Sequence, residues 1–282
     1  SMTVTGNVNI SSAASAIELG SETWTVSGSW TNASTDATWD AGTGTVTFDS
    51  SSNQTMTFAG TNLSEDEFNN VTFQSTSGLD QSFTLATRGL RWGGMLTVSD
   101  TVSDTILRPD ALPLTGGAVT INGAGDTVIR CTTSIMSVTT VTITDGAFLF
   151  GSGSHTVSGT WTNNEAAPAV SGWDAGTGTV TFTSATGGTM TFAGANFGTT
   201  NEFNNVTFSS SAGTAQTFTM ATRALRLGGT LTISDGVDTT TLSTSGSNLA
   251  ITTGNMTIGI GGQLISNASS ITVNGSCDSS GG

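Results

Sequence analysis

The chain holds a single histidine, His155, with no lysine and no tyrosine, so the side chains that usually move protons are scarce. General acid–base work would fall on His155. Two tryptophan–acid pairs offer a different chemistry: Trp39 with Asp40 and Trp173 with Asp174, each after a loop of variable length. An indole face stacked on a sugar ring beside a carboxylate that accepts hydroxyl hydrogen bonds would bind carbohydrate. The competing and preferred reading packs both indoles over an edge of the fold. All positive charge lies on six arginines, of which Arg88 and Arg91 return as Arg223 and Arg226. Bidentate pairing with an acid on a neighbouring coil, near Glu67 or Glu202, is the preferred role, and recognition of an acidic sugar is the sharper one. Asp100 with Asp104 and Asp235 with Asp238 are close-set hard oxygen donors that would suit calcium, and Gly123–Val128 holds a fragment of a calcium-binding nonapeptide.

The elements that position these residues come in duplicate. WTVSGSWTN from Trp24 returns as HTVSGTWTN from His155; WDAGTGTVTF stands at Trp39 and Trp173, and EFNNVTF at Glu67 and Glu202. The offset between matched positions grows along the chain, being smallest from Trp30 to Trp161, larger from Trp39 to Trp173 and largest from Arg88 to Arg223, so small insertions enter between matched segments. Trp24 in the place of His155 argues against a proton-transfer role for the histidine. The division is an end of a preceding repeat over 1–23, repeat one over 24–154, and repeat two with the start of a further copy over 155–282. A chain that opens and closes within a repeat is expected to be part of a longer array.

Composition narrows the partners. The formal net charge is −14 and only 9% of residues are charged. Nucleic acid and anionic lipid both need clustered cations, so neither is an expected partner, and no apolar run reaches the length of a membrane span. Cys131 and Cys277 occupy non-equivalent places in the repeat and are expected to stay unpaired.

Period-two alternation runs through TVTFDS, NVTFQ, SFTLA, MLTVS and their counterparts, with Val and Phe on one face and Thr on the other. Helical spacing with caps is missing. The reading is all-β, one continuous β-solenoid over 1–282 whose coils of about 22 residues would give about a dozen turns and a rod on the order of 60 Å. The alternative is two tandem β-sandwich domains. It is disfavoured because TDGAFLFGSGSHTVSGTW crosses the join with unbroken alternation.

SGTWTN, WDAGTGTVTF, EFNNVTF and GGTLTISDG together resemble the repetitive β-helix regions of large secreted prokaryotic surface proteins, the adhesin and autotransporter-passenger kind. That resemblance implies a right-handed parallel β-helix, export to the cell surface, and a structural or adhesive stalk, with surface glycan or neighbouring copies of the same protein as partners. It carries over no binding residue. Polysaccharide-degrading β-helix enzymes gather Asp residues, or Arg and Lys beside calcium, in one groove, and that set is missing. A carbohydrate-binding module and a phage tail fibre segment remain as alternatives. Outward Thr-x-Thr pairs such as Thr45 and Thr47 would suit ice binding, but coil length varies and Gln, Asp and Arg interrupt the ladder.

Overall fold

A computed structural model describes residues 1–36, 38–63, 65–76, 78–100, 103–123, 127–165, 173–194, 200–211, 213–244 and 248–279. Strands make up 54% of the chain, stacked in parallel as a β-solenoid of about 11 turns. Alternation is the cause. In Thr45–Ser50 the Val46 and Phe48 side chains are buried while Thr45 and Thr47 remain half-exposed, and Asn70–Ser75 and Thr179–Ser184 follow suit. Parallel pairing in register then sets like on like: Val46 against Val71, Phe48 against Phe73. The tandem sandwiches are excluded, because their strands would pair antiparallel within each sheet.

The join between the repeats is continuous. Met136–Asp145 pairs through its first half with Ser154–Val157 and through its second with Trp161–Asn163, so one strand carries both strands that open the second copy. Coil length is uneven. Met136 pairs with His155 across a short coil, whereas the coil from Gly188 to its partner Phe218 is more than half as long again.

Strand register resolves the coil into three sides, visited in a fixed order. The first side carries Trp24, Val46, Val71, Leu96, Val119, Val141 and then Trp161 in one inward ladder. The second carries Gln54–Met56, Gln81–Leu85, Thr105–Asp110, Val128–Cys131 and Ala147–Leu149. On the third, Leu90, Leu114 and Met136 lead to His155, Val180, Val206 and Leu231. His155, Val180, Val206 and Leu231 are the repeat-two counterparts of Trp24, Val46, Val71 and Leu96. The second copy therefore stands one side around from the first, because a copy occupies five turns and two sides.

Packing survives this rotation. Phe48 and Phe73 stack with centroids 5.1 Å apart at 21°, and Phe182 and Phe208 do so at 5.2 Å and 21°. Trp30 meets Phe68 at 5.4 Å edge to face, and Trp161 meets Phe203 at 5.1 Å. Ring pairs of this kind contribute about 0.5–1.5 kcal/mol beyond the area they bury. Cys131 is buried and Cys277 exposed, both free. Burial pushes the Cys131 thiol up to about 12, which keeps it protonated and inert.

Candidate functional site: two buried carboxylate cages and a groove

Each copy closes around one glutamate. The corner that opens EFNNVTF turns both Glu67 and Phe68 inward, and Glu67 is fully buried. Its Oε1 accepts from Trp30 Nε1 at 2.9 Å and Asn32 Nδ2 at 2.8 Å; Oε2 accepts from the backbone N–H of Ala59 at 2.8 Å and of Gly60 at 3.3 Å. Gly60 has φ of +54°, a left-handed turn that aims these consecutive N–H groups at one oxygen. In the second copy Glu202 Oε1 accepts from Trp161 Nε1 and Asn163 Nδ2, both at 2.9 Å, and Oε2 from Ala193 N–H at 2.8 Å.

Trp39 and Trp173 seal these cages. Each indole N–H donates to the backbone carbonyl of the caged glutamate at 3.0 Å, and the rings are 3% and 8% exposed. They offer no face to a sugar, so the packing role is the observed one. Asp40 and Asp174 cap the turns that follow, accepting from Gly42 and Gly176 N–H at 2.8 Å. A Cβ on Gly42 or Gly176 would run into the carbonyl oxygen of Gly20 or Gly151 on the coil beneath.

The arginines take different partners. Arg88 Nη1 donates to the Asn32 carbonyl at 3.4 Å, and with the Asn62 amide oxygen turned inward Arg88 Nε and Nη2 reach it at 3.1 Å. Arg223 Nη1 donates to the Asn163 carbonyl at 2.9 Å. Both thus hold the backbone of the asparagine that touches the glutamate. The ion pair runs from Arg91 to Asp66 at 3.4 Å, one residue before Glu67. Neutral donors satisfy Glu67 and Glu202. Burial pushes both carboxyls up to about 7, against the pull of these hydrogen bonds; the Arg223 charge adds to that pull on Glu202.

The two asparagines of EFNN stitch coils together. Asn69 Nδ2 donates to the Thr43 carbonyl at 2.9 Å, while Asn70 Oδ1 accepts from Met95 N–H at 2.9 Å on the next coil. Asn204 and Asn205 repeat this with Thr177 and Thr230.

Beside the first cage lies an open groove of about 430 Å³, lined by Asp40, Glu65, Asp66, Asn69 and Arg91 among others. Its counterparts in the second copy include Thr200, Asn201 and Arg226. With asparagine in the place of Asp66, Arg226 makes no ion pair with any described residue and its Nε is buried without a partner.

The remaining candidates make contacts within the coil. Asp100 accepts from Thr105 Oγ1 at 2.9 Å and Asp235 from Thr240 Oγ1 at 3.2 Å, latching equivalent corners. Asp104 supports its corner through the backbone, its carbonyl accepting from Gln81 N–H at 2.8 Å, and the Asp238 carbonyl lies against Gly261. No cluster of three His, Cys, Asp or Glu suited to a metal ion occurs among the described residues. Half of the nonapeptide fragment, including Asp126, lies outside the described residues. His155 is buried with Nε2 at 2.9 Å from the Phe150 carbonyl, as Trp24 Nε1 lies 3.1 Å from that of Leu19. Nδ1 is the atom left over from placing an imidazole where an indole stands in the first copy, and it has no partner. Burial lowers the histidine's proton affinity.

The fold and its two cages define a β-solenoid repeat protein. No family model, curated protein or solved structure gives a significant match to the chain.

Proposed function

We propose that the chain is a stiff, non-enzymatic spacer or adhesive stalk segment of an extracellular surface protein. The observation that carries this reading is the strand Met136–Asp145, which pairs with both opening strands of the second copy and leaves no hinge between repeats. Polar chemistry inside the rod is committed to holding it shut: each caged carboxyl is buried and enclosed by donors of its own chain. Imaging by electron microscopy of a protein with added copies tests the reading. The rod is expected to lengthen by about 27 Å per copy at about 4.8 Å per turn; compact beads joined by flexible links would overturn it.

The groove of Asp40, Asp66, Asn69 and Arg91 favours a second reading, a carbohydrate-binding face that works by polar contacts without aromatic stacking. Retention of a glycan on an array, lost in the double variant Asp66→Asn, Arg91→Gln, would support it. Binding of no glycan would remove it.

A further inference from the structure

Arg108 and Arg130 sit on consecutive coils of the second side. Leu107 pairs with Ile129 and Asp110 with Cys131, and the ladder bulges between these pairs, so half-buried Arg108 and Arg130 are the residues that directly follow a paired position on neighbouring coils. Strands one coil apart lie about 4.8 Å from each other, and like charges set so close are destabilising. Neither guanidinium makes a hydrogen bond or ion pair with any described residue, although acids outnumber arginines 20 to 6 in the whole chain. The Nε of each is out of contact with water and without a partner. Leaving a buried charged donor unpaired is destabilising, and here that happens twice on neighbouring coils. A hollow of about 250 Å³ opens beside Arg108, with Asn53 and Ser82 on its wall and Asp80 as its one acid.

We propose that Arg108 and Arg130 form an oxyanion site, in which one sulfate or carboxylate group bridges the two guanidinium forks. An anion there offsets the charge repulsion and accepts from the Nη groups of both guanidinium forks, which reach water while the Nε atoms do not. Asn53 and Ser82 would meet hydroxyls flanking such a group on an acidic polysaccharide. The same chemistry would also hold a free inorganic anion.

Six arginines give six Nε–Hε signals in an ¹⁵N-labelled sample, so the site is readable by NMR in the unaltered protein. Sodium sulfate and sodium acetate, each titrated against sodium chloride at matched ionic strength, test the pair. The signals of Arg108 and Arg130 are expected to move together on one saturating curve while those of Arg88 and Arg223, tied to backbone carbonyls, stay in place. Replacing either partner, by Arg108→Gln or Arg130→Gln, should weaken the response of the other at least tenfold. A sulfated galactan and a polyuronate form the second arm. Movement of the same two signals at a lower concentration of groups assigns the anion to a glycan, and movement with the free salts alone assigns it to a small ion. No movement, or equal movement of all six signals, overturns the site.

Discussion

Trp30 Nε1 and Glu67 Oε1 lie 2.9 Å apart in the first copy, and Trp161 Nε1 and Glu202 Oε1 lie 2.9 Å apart in the second, although the two copies face different sides of the coil. The contact belongs to the repeat and travels with it, which identifies the caged carboxyl as the local unit of assembly.

Replacing Glu67 by Gln tests this. Four donors surround a carboxyl, and an amide presents one acceptor oxygen plus a donor of its own. At least two N–H groups lose their partners, at a cost of about 2–4 kcal/mol. Urea unfolding followed by hydrogen exchange should show the loss confined to coils around the first cage, with the Glu202 coils protected as before. An unchanged urea midpoint would falsify the role of the cage.

Stability should depend on pH with a sign opposite to most carboxylates. The folded-state value of about 7 lies above the ordinary 4.5, so the folded chain binds more protons between these limits. Stability is then greatest below about pH 4.5 and is lost as pH rises through 7, roughly 3 kcal/mol per site at most. His155 acts the other way. Its lowered proton affinity removes stability as pH falls below 6.5. Thermal melts should show a gain from pH 8 to pH 6, flattened in the double variant Glu67→Gln, Glu202→Gln; a flat profile in the parent protein would contradict the burial.

Arg223 lowers the proton affinity of Glu202 through its charge. Arg223→Met keeps much of the side-chain stem and should raise the Glu202 midpoint further, while leaving Glu67 where it is. ¹³C NMR of labelled glutamate side chains reads both. Equal movement of the two sites would show that the effect is global.

Iodide should quench Trp24 alone among the six tryptophans, since the other five are buried. Trp39→Ala should cost about 3–5 kcal/mol in unfolding free energy through the cavity it leaves. A fully stable Trp39→Ala protein would place that indole at the surface.

The stacking of strands was open to reading in the amino acids because a period of two survives any insertion placed at a corner. Val46 with Phe48 and Val180 with Phe182 advertise their face regardless of the loops between them. The cage was harder. In EFNNVTF the odd positions Val71 and Phe73 point inward, yet Phe68 does so too, since alternation fails where the backbone turns. The available signal was the return of Trp30, Asn32, Trp39 and Glu67 as Trp161, Asn163, Trp173 and Glu202, a polar pair kept in step with core aromatics. Asp66 is the finer point: an arginine pair expected near Glu67 leaves open which of the neighbouring acids takes part, and Asp66 is the one that meets Arg91. The one-side offset was hidden because a coil as short as Met136 to His155 and one as long as Gly188 to Phe218 share the same shaft, so no fixed period exposes it.

That offset has a geometric result for any filament strung from such copies. Corresponding grooves would point along three successive azimuths and regain their first heading only after about 17 turns, about 80 Å. A flat surface would engage every third copy, whereas a partner that wraps the shaft would meet them all.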